Sequence, residues 1–217
     1  MAKISKIEIL EDRSPGGDRF LTLRRYVVRN HYGDGSVSPP YPIDFIDRIG
    51  MDSVAISLWY RESGKLFVCI RRGIRAAVWF RRTQARPLPD EIPCDLPYEA
   101  IAGSVEKEDR GMDGLIARAC AEAWEEAGCK VAPAQCDYLG SILPSHGQSS
   151  ERIYLFAAEI NPEKIQPPPG DGSVNEAAAP PPEWRAADEI LAMCRRGEIE
   201  DPKIEIGLRR LLEKIAP

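Results

Sequence analysis

Glu122-Ala-Trp-Glu125-Glu126-Ala-Gly128-Cys129 closes a helix-patterned stretch that begins near Asp113. At roughly 100° per residue on a helical wheel, Glu126 falls about 40° and Glu125 about 300° from Glu122. The three carboxylates therefore share an arc of about 100°. The opposite arc holds Ile116, Ala119, Cys120, Ala123, Trp124 and Ala127, which predicts that this side packs on a sheet. Gly128 stands where a left-handed residue would stop the helix. Like charges at i, i+3 and i+4 repel one another. A cation relieves that repulsion, and hard oxygen ligands suit magnesium or manganese. On spacing alone, a solvated acidic helix face accounts for the same residues.

Outward from this helix, Asp52–Trp59 (DSVAISLW) and Lys65–Ile70 (KLFVCI) read as buried strands joined by a turn at Glu62-Ser63-Gly64. Glu99–Val105 reads as a strand running into a polar loop at 106–112. Tyr138–Leu143 and Arg152–Glu159 (RIYLFAAE) read as two further strands, joined by a loop ending at Glu151. The Arg- and Pro-rich residues 81–97 read as loop. Residues 161–183, with Pro167-Pro-Pro169 and Pro180-Pro-Pro182, predict an exposed, mobile loop. A helix pair is expected at Ala186–Arg195 and Lys203–Ile215. Near the start, Phe20–Arg29 is strand-like, and Gly33-Asp34-Gly35 is a hairpin-type turn signal within Asn30–Ser38. Strands and helices mixed in this order predict an α/β sandwich. Its main domain would span 51–217, preceded by a small β-rich segment at 1–50.

The chain has 217 residues, 43% hydrophobic and 29% charged, with a formal net charge of -5. An isoelectric point of about 5.3 argues against a nucleic-acid-coating surface. No apolar run approaches the roughly 18 residues of a membrane span. The opening MAKISKIEILEDR has no continuous apolar core of a signal peptide. Six cysteines form no C-x-x-C pair, and His31 and His146 are the only histidines, so zinc-ligand spacing is absent. Free thiols in a reducing cytoplasm are the expectation.

These residues resemble the signature of the Nudix hydrolase family, G-x5-E-x7-R-E-U-x-E-E-x-G-U, where U is a bulky aliphatic residue. Glu122, Glu125, Glu126 and Gly128 match its second half in identity and spacing. The first half departs. Asp113 stands at the first glutamate, Ala121 replaces the arginine, and Gly103 meets the glycine position only with four extra residues in the loop. Further stretches are similar to the ADP-ribose pyrophosphatase and nucleoside-diphosphate-sugar hydrolase branch. They are Arg71-Arg72-Gly-Ile-Arg75-Ala-Ala-Val, Glu99-Ala-Ile-Ala102-Gly103-Ser-Val-Glu106, Ser145-His-Gly147-Gln-Ser-Ser-Glu151-Arg152, and Gly197-Glu-Ile-Glu-Asp201 before a last helix.

The resemblance implies an α/β/α Nudix sandwich with a mixed sheet, whose N-terminal segment exchanges across a homodimer. It implies Mg2+, with Mn2+ as an alternative, held by Glu122 and Glu126, with Glu125 supporting the site or binding a second ion and the Ala102 carbonyl completing the shell. It also implies that Glu151 takes a proton from water and that Arg75, with Arg72 and Ser145, contacts a nucleoside-diphosphate substrate such as ADP-ribose or a nucleotide sugar. No nucleic acid or membrane partner is expected. For Glu151 the alternative is a turn cap or a pair with Arg152, and for Arg75 an ordinary surface residue after a strand. Arg118, one turn before Glu122, is a candidate to stand in for the arginine missing at 121. A binding module that retains ligand without turnover is the rival function.

Overall fold

The computed structural model describes residues 21–31, 33, 38–48, 50–88, 95–170, 172 and 179–216. Asp34 and Gly35 of the expected hairpin turn, and Cys94, lie outside them. The strands are β1 (Thr22–Val28), β2 (Tyr41–Asp47), β3 (Ser53–Glu62), β4 (Lys65–Arg72), β5 (Tyr98–Glu99), β6 (Ile101–Ser104), β7 (Asp137–Ile142), β8 (Ile153–Glu159) and β9 (Glu183–Ala186). The helices are α1 (Ala76–Phe80), α2 (Gly111–Ala127), α3 (Ala187–Arg195) and α4 (Pro202–Ile215).

Successive strand residues face opposite sides, so a strand apolar at every position is buried on both. Val54, Ile56 and Leu58 of β3 join Phe156 and Ala158 of β8 in one apolar cluster, closed by Leu115, Ala119, Ala123 and Ala127 of α2. Ala55 and Trp59 join Ile153, Leu155 and Ala157 in a second cluster on the other face, closed by Ile190 and Met193 of α3 and Ile204, Leu208 and Leu211 of α4. The result is an α/β/α layering around a mixed sheet. β3 and β8 run parallel, and the other pairings are antiparallel. Ser63 and Gly64 both take positive φ, 50° and 78°, the geometry that turns β3 tightly into β4. The extended stretch 98–104 pairs with the end of β4 through β5 and with the start of β3 through β6. That position sets Ala102 and Gly103 beneath α2.

Several expectations are corrected. α2 begins at Gly111, two residues earlier than Asp113, and ends as expected at Gly128, with φ 65°. Its sheet-facing stripe contains Leu115 and Glu122, while Ile116, Cys120 and Trp124 are only half-buried. β9 begins at Glu183, the last residue of the stretch read as loop, and takes in Ala186, read as the start of a helix, while the short α1 forms at residues 76–80, where no element was expected. The segment after β8 is not wholly free. The Gln166 N–H donates to Gly128 O at 3.1 Å, and the Gly170 N–H donates to Glu125 O at 2.9 Å. These donors satisfy carbonyls left open at the C-terminus of α2.

β1 and β2 form a separate two-stranded sheet. The Ile46 N–H donates to Gln148 O at 2.8 Å, which ties this hairpin to the loop before Glu151. No helix among the described residues is long and apolar enough to cross a membrane.

Candidate active site

Glu122 projects from the buried side of α2 and is only 8% exposed. It fits there because residue 103 is glycine. A Cβ at Gly103 would stand 2.7 Å from Glu122 Oε2 and closer still to Oε1. One turn on, the Glu126 carboxylate is engaged at both oxygens. Oε2 accepts the Ala102 N–H at 2.9 Å, and Oε1 accepts Nη1 of Arg71. Arg71 is 8% exposed, a buried cation matched to a buried anion. Burying either charge without a partner would cost several kcal/mol, roughly.

Around these residues opens a cleft of about 1010 Å3. Its walls include Glu122, Glu125, Glu126, Glu151, Arg75 and Ala102. Glu151 Oε1 accepts from Ser53 Oγ at 3.1 Å and lies 3.7 Å from Nη2 of Arg48. Arg75 is gripped by Glu99 through two ion-paired hydrogen bonds, one of them Nη2 to Oε2 at 3.0 Å. Hydrogen bonding to Glu99 is the main cause that raises the Arg75 pKa, and it outweighs the opposing effect of burial. Gly73 makes room for this pair, since a Cβ there would meet Glu99 Oε2 at 2.5 Å.

The other sequence candidates fall elsewhere. Arg72 does not line the cleft. Adjacent strand residues face opposite ways, and Arg72 lies over the Tyr98 ring, 4.1 Å from its centroid, and donates Nε to Glu183 at 3.1 Å. Ser145 also lies outside the cleft wall. It is exposed, and its carbonyl accepts the N–H groups of Gln148 and Ser149. Arg118 does reach the cleft, but its hydrogen bonds go to the preceding loop. Nε donates to Asp109 Oδ2 at 2.8 Å, and Nη2 pairs with Glu106 at 3.1 Å. Burial alone would push the Asp109 carboxyl up. The Glu106 N–H and Arg118 outweigh it, and the net pKa lies below the ordinary 3.8. Arg118 therefore braces the 106–109 loop while its charge still acts on Glu122, and Arg71 pairs with Glu126. One signal for Arg71 was available in the sequence, two adjacent arginines at the end of a strand, and it does not show which of them faces α2.

Glu122, Glu125 and Glu126 supply hard oxygen donors of the kind that suits a divalent cation. The space above Gly103 admits the Glu122 carboxylate into the same cleft. In chemical kind the residues suit such an ion. In the arrangement described, Glu126 is held by Arg71 and Ala102, and no three His, Cys, Asp or Glu side chains among the described residues converge as ligands. Compared with known proteins, the chain matches no protein-family model and no curated protein.

Proposed function

We propose that the protein hydrolyses the phosphoanhydride bond of a nucleoside diphosphate joined to a second moiety, ADP-ribose or a nucleotide sugar. The products are a nucleoside monophosphate and a sugar phosphate, and the reaction requires Mg2+, with Mn2+ as a substitute. The supporting observation is that one cleft of about 1010 Å3 is walled by Glu122, Glu125, Glu126, Glu151, Arg71 and Arg75. These come from α2, β4, the segment after β4 and the loop before β8. The signature-like residues of the sequence thus share a cavity with a carboxylate from a distant loop and with cations suited to phosphate.

In this reading Glu99 holds Nε and Nη2 of Arg75 and so fixes its orientation, and the remaining Nη1 edge donates to phosphate oxygens. Glu151, placed by Ser53 and Arg48, takes a proton from the attacking water. A divalent cation bound at Glu122, Glu125 and Glu126 would neutralise the diphosphate and acidify the water. The reading includes a homodimer, for which exposed Leu23, Tyr26 and Val27 of β1 supply apolar surface.

A second reading, a nucleotide-binding module, is favoured by one observation: both oxygens of Glu126 are already occupied by protein donors. Incubation of the protein with ADP-ribose and nucleotide sugars, with Mg2+ or with excess EDTA, separates the two. Mg2+-dependent release of nucleoside monophosphate supports hydrolysis. Binding without release supports the module.

A further inference from the structure

Arg71 occupies an unusual place. It is buried, it is paired with Glu126, and it lines both the large cleft and a second cavity of about 380 Å3 that also touches Glu125 and Glu126. The same guanidinium thus touches a carboxylate proposed to hold a cation and the space proposed to hold a diphosphate. A cation on Glu126 and Arg71 on Glu126 use the same oxygens, and their like charges repel at close range. A diphosphate in the cleft offers Arg71 an alternative anion of matching geometry.

We propose that Arg71 is a positioning residue that couples cation and diphosphate binding: it occupies Glu126 in the empty cleft and transfers to the diphosphate when substrate arrives, freeing Glu126 for the cation. The inference rests on the hydrolase reading above. It makes the empty site a weak cation binder by construction. By linkage, diphosphate strengthens cation binding by the same factor by which the cation strengthens diphosphate binding. Arg71 also has two states, each with a definite partner, which is what a coupling element needs.

The test is a titration of the protein with Mn2+ alone, read by the electron paramagnetic resonance of free Mn2+. Arg71→Gln removes the competing charge, and its Mn2+ affinity should rise about tenfold over wild type. Arg71→Lys keeps the charge and should stay within about threefold of wild type. A residue that merely supports the fold would lower affinity when replaced, so a rise is not expected of a structural role. Unchanged or weaker binding in Arg71→Gln overturns the inference, and so does an equal rise in Arg71→Lys. If Arg71→Gln does not fold, a second measurement decides. With EDTA present, binding of inorganic pyrophosphate is compared in Glu126→Gln and Glu125→Gln. Each removes one negative charge, but only Glu126→Gln removes the Arg71–Glu126 pair, so it should tighten pyrophosphate binding about tenfold more than Glu125→Gln. Equal effects overturn the inference. Absence of Mn2+ binding in wild type and every variant would instead remove the cation site itself, and the hydrolase reading with it.

Discussion

Gly103→Ala is expected to abolish most turnover while leaving the fold nearly as stable. Residue 103, in β6, pairs with Val54 of β3, and its φ lies outside the positive region, so alanine fits the backbone without strain. The new methyl group meets the tip of Glu122. Its Cβ would lie 2.7 Å from Oε2 and nearer to Oε1, against an ordinary contact that begins at 3.4 Å. The carboxylate must therefore retreat by more than 0.7 Å, from the difference of those two distances. It can do so, because it is the far end of a flexible side chain. A misplacement of about 1 Å at a catalytic group costs about 10²-fold. The expected outcome is a fall in kcat of about that size with a melting temperature within a few degrees of wild type, roughly, since alanine is better than glycine in a strand by about 0.5–1 kcal/mol. Steady-state release of nucleoside monophosphate and thermal unfolding, measured on the same preparation, check both halves. A kcat within a few-fold of wild type would refute the placement of Glu122 in the reaction. A collapse of stability would show that Glu122 cannot yield as its position implies.

Three other expectations follow from the same geometry. Glu151→Gln should lower kcat by about 10²–10⁴-fold, the usual size of a general-base contribution, and leave Mn2+ affinity unchanged; near-normal kcat would return the base to the α2 glutamates. Gly128→Ala should destabilise by about 1 kcal/mol or more, because Gly128 has φ 65° and a Cβ would stand 2.7 Å from the Gln166 carbonyl carbon; denaturant unfolding measures it. The Asp109 carboxyl is held below its ordinary 3.8, so it contributes stability above that pH, which is lost as pH falls through the lower folded value. Asp109→Asn should therefore flatten the stability profile below about pH 4 and leave it parallel to wild type near neutrality.

Much of the frame was legible because a single physical rule dictated it. β3 and β8 are apolar on both faces, which only a sheet covered on both sides allows. Gly128 marks the end of α2 because its conformation is costly for other residues. What escaped the sequence depends on register and on distant partners. Arg71 and Arg72 are equivalent in a one-dimensional reading, and only the pairing of β4 with β5 and β9 turns Arg71 toward α2 and Arg72 toward Glu183. The wheel grouped Glu122 with Glu125 and Glu126 but did not reveal that Glu122 is buried, since that depends on the missing side chain at Gly103. Arg118 had the right spacing for Glu122 and found Asp109 first, across a loop whose shape the helix wheel does not contain. β9 is four residues without alternation, and it forms because the edge of β4 is open to it.

The most direct measurement is the release of nucleoside monophosphate from ADP-ribose and nucleotide sugars by wild type and Glu126→Gln, each with Mg2+ and with excess EDTA. The expected result is turnover in wild type with Mg2+, none in EDTA, and a loss of activity in a folded Glu126→Gln. Undiminished turnover by Glu126→Gln, or by wild type in EDTA, would contradict a cation-dependent hydrolase built on α2.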